Sequence, residues 1–189
     1  MAFLLLTSRL RGKFGHKPLI LNTSSLRNIH DGQTERRFML RPGITGRLAS
    51  GDCATRGRVS FTDFKAAVFS AARAIRATVV HAEPAGVTPN FHSAVLNAPD
   101  GETVVLCNSG FPIVAFAEAP VAMGSLRFKD HPALRDAMES IGGYTVTNVA
   151  ELDRPLTEDD GAALGSGDLA QLRYWKPSTV GEVVFNWFD

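Results

Sequence analysis

The sequence predicts an α+β fold: an antiparallel β-sheet meander with helices packed mainly on one face and a short C-terminal helix. Three observations lead there. Apolar residues recur at three- and four-residue steps after Ser60. Three β-rich runs follow, separated by turn residues, and a second capped helical pattern stands at 130–142.

In the first pattern Phe64, Val68, Ala71, Ala72, Ile75 and Val79 stand at three- and four-residue steps, which predicts a helix over about 62–77 with one apolar face. Ser60 and Asp63 make a start resembling a capping box. The runs "FHSAVLN", "ETVVLCN" and "PIVAFAE" are joined by Pro99-Asp100-Gly101 and Asn108-Ser109-Gly110, where glycine accepts the positive φ of tight turns. In "DHPALRDAMESIGG", Asp130 is the expected N-cap, Pro132 sits in the first turn, Leu134, Met138 and Ile141 share a face, and Gly142 is the stop. "GYTVTNV" reads as a further strand. "LTEDDGAAL" reads as a short helix capped by Thr157, with Glu158, Asp159 and Asp160 complementing the positive end of the helix dipole as a solvated start. "LAQLRYW" is expected to be extended, with Pro177 ending it. Thr179 and Glu182 have capping-box spacing, so 180–188 is read as one short helix.

The 189 residues are 44% apolar and 21% charged, an ordinary globular composition with no apolar run near the roughly 20 residues a membrane helix needs. Cys53 and Cys107 lack CxxC spacing and the density of a disulfide scaffold, so a reducing cytoplasm is expected. The net charge of +1 conceals a split. Residues 1–60 hold eleven basic and three acidic residues, +8; residues 61–189 hold nine and sixteen, −7. Residues 1–58 show weak periodicity and are read as a basic, poorly ordered N-terminal extension of a single domain at 59–189. Their acid-free start resembles a transit peptide, but "AFLLL" precedes the positive charge, the wrong order for a secretory signal. Their arginines lack interleaved aromatics, which ranks nucleic-acid binding last.

Few residues suggest chemistry. His81, Glu83 and His92 could approach across a hairpin as metal ligands, and H-x-E opens the zinc deaminase signature, but its PCxxC half is absent. Cys107 with His92 on the neighbouring strand is the minimum for a thiol nucleophile and its base, without a third group to orient them. There is no G-x-S-x-G elbow, phosphate loop or G-x-G-x-x-G. The expectation is no catalytic residue, no metal and no cofactor. A small hydrolase or transferase is the alternative to a binding protein.

The chain closes on "YWKPSTVGEVVFNWFD". Burying each large apolar side chain is worth about 1.5 to 3 kcal/mol, so part of this surface must pack on the domain. On a helix running to 188, Trp187 lies four residues after Val183 while Phe185 points nearly opposite, so one of the two would face a partner. Trp175, Trp187 and Asn186, with the acidic Glu158, Asp159 and Asp160, are the expected partner contacts. This ending, with Trp175, Pro177, Gly181, Glu182, Phe185, Asn186 and Asp189, resembles that of small actinobacterial immunity proteins that neutralise polymorphic secreted toxins, including NAD-cleaving ones. The resemblance implies a non-enzymatic protein that occludes the active site of a cognate protein toxin in the producer's cytoplasm. An acidic domain would be steered toward a basic toxin surface.

Overall fold

The computed structural model describes residues 38–46, 58–123 and 126–188, all within one unit that begins at residue 37. The first helix, α1 (Phe61–Ala74), starts where expected, with Ser60 Oγ accepting the Asp63 N–H at 3.4 Å. Four antiparallel strands follow: β1 (Thr78–Glu83), β2 (Phe91–Ala98), β3 (Gly101–Asn108) and β4 (Ile113–Ala117). A two-residue strand, β5 (Thr145–Val146), joins β4 in parallel, giving the order β1-β2-β3-β4-β5. The fold is α+β, as the sequence predicts. The expected strand over "GYTVTNV" is therefore short, because Asn148 caps a turn of helix, α3 (Val149–Leu152), with a full capping box.

The helix α2 (Pro132–Ile141) lies where expected, but its N-cap is His131, whose Nδ1 accepts the Leu134 N–H at 3.3 Å. Proline at the first helical position places the cap one residue before it. Asp130 instead accepts the Val149 N–H at 3.2 Å.

Strand alternation divides the core in two. Val105, Cys107, Val114 and Phe116 pack with α1 and α2 on one face, the shared face expected for these two long helices. Val104, Leu106, Ile113 and Ala115 form the other face, which is also covered. Its cover includes Leu40 and Ile44, from the stretch read as an extension, so residues 38–46 pack with the domain and give it two core side chains. The other residues of 1–58, apart from Arg58 itself, lie outside the described residues.

The rest of that cover is C-terminal: α4 (Glu158–Ala162), α5 (Ser166–Trp175) and α6 (Val180–Val184). The run expected to be extended is the helix α5. Asp168 decides it: one carboxylate accepts from Gly165 N–H at 3.1 Å, closing the helix start, and also from Gly43 N–H, Thr45 N–H and the Thr45 hydroxyl at 2.6, 3.1 and 2.6 Å. Leu169 and Leu172 then pack on the core. The helix read over 180–188 stops at Val184, and Phe185 is extended. Trp187 and Phe185 thus do not share a helix, and the opposition inferred from helical spacing does not apply.

Candidate functional site

The C-terminal run builds its surface by turning twice. Lys176, left-handed at φ 50°, ends α5 and Pro177 prevents its continuation. Thr179 and Glu182 then open α6 with the expected capping box, and Ser178 N–H also donates to the Glu182 carboxylate. After Phe185 the chain is pegged by Asn186. Its N–H donates to Asn90 Oδ1 at 2.9 Å, its Nδ2 donates to Val183 O at 2.8 Å and Thr45 O at 3.4 Å, and its Oδ1 accepts from Phe188 N–H at 3.1 Å. Asn186 is 2% exposed and its amide is spent inside the protein. The residue expected to touch a partner positions the two that follow it.

Those two are Trp187 and Phe188. Phe188 stacks on Trp175 with centroids 5.6 Å apart and planes 6° apart. Trp187 stands edge-on to Phe91 at 5.1 Å. Facing them is the strip after β4, whose Phe128 bridges Ala117 and tilts against Phe185 at 5.9 Å. Phe128 can lie there because Gly181 has no side chain: a methyl group at that position would overlap the Phe128 ring. Between these walls lies a cleft of about 610 Å³, floored by Phe185, with Met123 and Trp175 at its open side and Asp153, Lys176 and Glu182 among its lining. Trp175 is 40% exposed although it is large and apolar. The volume lies in the range that ligand sites occupy.

The acidic trio is split. Glu158 and Asp159 are exposed at the start of α4 and do not line the cleft. Asp160 is not part of a solvated start: it is buried, receives both Nη groups of Arg154 at 2.6 Å and accepts from the Thr157 N–H and hydroxyl. The guanidinium beside it holds this carboxyl well below the usual carboxylate range. It ties α4 to α3 rather than facing a partner.

The histidines and Cys107 are also placed. His81 and Glu83 are exposed on the edge strand β1 and bonded to each other at 2.8 Å. His92 is elsewhere: its Nε2–H donates to Val59 O at 2.9 Å, its Nδ1 accepts from Ala85 N–H at 2.8 Å, and its ring packs against Phe61 and Phe64. It lies opposite Cys107 in register, but neither ring nitrogen is turned to the thiol. Burial pushes the Cys107 thiol up to about 12, which disfavours the thiolate nucleophile. Among the described residues no group of three or more His, Cys, Asp or Glu is placed to hold a metal ion, and no helix is long and apolar enough to cross a membrane.

Of the residues expected to meet a partner, Trp175, Asn186 and Trp187 line this cleft; Phe128, Met123 and Asp153 line it too and carry no signal of it in the sequence. The path after β4 and the Gly181 contact bring Met123 and Phe128 to the cleft, and Asp153 reaches it from the end of α3. Compared with family models, curated proteins and solved structures, the chain matches none of them.

Proposed function

We propose that this chain is an immunity-type binding protein that neutralises a cognate secreted toxin by covering its active site, without catalysis or a cofactor of its own. One observation carries the reading. The stretch that resembles immunity proteins builds an open cleft whose aromatic wall, Trp175 on Phe188, is rigidly backed by the Asn186 peg yet incompletely buried. A domain keeps large aromatic surface wet at a cost, and tryptophans in such positions supply dominant contacts at protein interfaces. The acidic balance of residues 61–189 supports the same reading, since it would speed encounter with a basic toxin. A cytoplasmic site of action belongs to this proposal.

The test uses the reading frames beside the gene. A secreted protein with a C-terminal toxin domain encoded next to this chain should arrest growth when that domain is expressed alone. Co-expression of this chain should restore growth, and the two should purify as a stoichiometric complex. Trp175→Ala should weaken the complex by about 30-fold or more while the melting temperature barely moves. Rescue without a complex, or a complex indifferent to Trp175, would overturn the proposal.

A further inference from the structure

We infer that the aromatic cleft is a receptor for a guanidinium group, an arginine side chain that the bound protein inserts between the Trp175–Phe188 wall and the carboxylates of Asp153 and Glu182. This rests on the binding-protein reading and names the chemistry of its central contact. Three observations converge on it.

The first is the shape of the wall. Trp175 and Phe188 stack on each other with their planes within 6°, both line the cleft, and Trp175 is 40% exposed, so aromatic ring surface borders it. A guanidinium is planar, delocalised and weakly hydrated, and stacks on such surface while keeping its edge donors free.

The second is the pair of acids in the same lining. Glu182 turns Oε2 inward to the N–H groups of Ser178 and Thr179, and its Oε1 has no partner among the described residues. Asp153 ends α3 exposed, with its carboxylate making no hydrogen bond or ion pair among the described residues. An apolar plug filling this cleft would strip water from both carboxylates and offer nothing in return. A group with an apolar stem, a flat face and a fork of N–H donors satisfies rings and carboxylates together.

The third is charge. Residues 149–189, which provide most of the lining, hold three basic and eight acidic residues, net −5, and among the described lining residues Lys176 is the one base against two acids. A cationic partner surface is attracted to this end of the protein.

The protein carries its own probe. Its two tryptophans, Trp175 and Trp187, both line the cleft, so intrinsic fluorescence reads occupancy directly. The full chain is titrated at low salt with three capped tripeptides, Ala-Arg-Ala, Ala-Lys-Ala and Ala-citrulline-Ala. The arginine peptide should give a saturating change, with the other two at least about tenfold weaker because one lacks the planar fork and the other the charge. Asp153→Asn and Glu182→Gln should each weaken the arginine response several-fold. Glutamine preserves the capping box, so the second variant keeps α6. No saturable response, or a citrulline or lysine peptide binding as tightly, would overturn the inference. The toxin experiment separates the two claims: rescue that depends on Trp175 with an inert arginine peptide sinks the guanidinium inference alone. Saturable arginine binding with rescue indifferent to Trp175 upholds it and sinks the neutralisation reading.

Discussion

Replacing Gly181 by alanine tests the construction of the cleft, because two opposing effects can be weighed from the structure. Gly181 lies in the first turn of α6, where alanine's helix propensity would gain at most about 1 kcal/mol. Against this, the new methyl overlaps the far edge of the Phe128 ring and comes within 3.1 Å of the Leu152 carbonyl oxygen. The ring can swing away but the carbonyl belongs to the backbone, so Phe128 must leave the wall of the cleft. That forfeits its contact with Phe185, worth about 0.5 to 1.5 kcal/mol, and part of the roughly 1.5 to 3 kcal/mol that covers a phenylalanine. The losses exceed the gain, and the net expectation is destabilisation of about 1 to 2 kcal/mol. Urea denaturation followed by tryptophan fluorescence measures it, with a red-shifted native spectrum as the sign that the cleft has opened. A Phe128→Ala background should abolish most of the effect, since the clash has lost its partner. A Gly181→Ala protein as stable as its parent, or one whose loss persists undiminished without Phe128, would refute the packing argument.

Other consequences follow from named contacts. Phe185, 1% exposed between Phe91 and Phe128, should cost about 3 to 5 kcal/mol on truncation to alanine, whereas Trp175→Ala should cost far less; chemical denaturation of the two variants checks the contrast. Breaking the partly buried Arg154–Asp160 pair with Asp160→Asn should lose about 1.5 to 3 kcal/mol at neutral pH. Because the Asp160 pKa is depressed in the fold, its contribution is fully present above the unfolded value near 3.9 and is lost as pH falls below it. The deficit of the variant should therefore shrink in acid melts. Cys107 should resist alkylation in the native protein at pH 8 and react on unfolding. Its raised pKa also implies that stability falls between about pH 9 and 12, by up to about 4 kcal/mol, a decline that Cys107→Ala should lack.

What could be read from the sequence alone was what neighbours along the chain decide. The Ser60 start of α1, the hairpin turn at Gly101 and the Thr179–Glu182 box all depend on residues two to four positions apart, and each stands where expected. So do the three β-rich runs, although they could not show that the second face of the sheet is covered too. The second hairpin turn is also present, but the Asn108 side chain closes it by accepting from the Gly110 and Phe111 N–H groups, and Gly110 does not take the positive φ expected of it. The tertiary structure decided the rest through contacts between residues far apart in the chain. The helix α5, read as extended, is tied down by Asp168 reaching Gly43 and Thr45 across more than 120 residues. The last helix ends at Val184 because Asn186 finds Asn90, 96 residues earlier, and Thr45, 141 residues earlier, which holds the following residues out of helical geometry. His92 looked like a base or a ligand until Val59 and Ala85 claimed its two nitrogens. The candidate site has the same mixed origin. Its tryptophans were visible as an excess of aromatic residues at one end of the chain, but a cleft is a property of walls facing each other. Phe128, Asp153 and the glycine that admits the ring come together only because buried amides and carboxylates must find partners wherever the fold provides them.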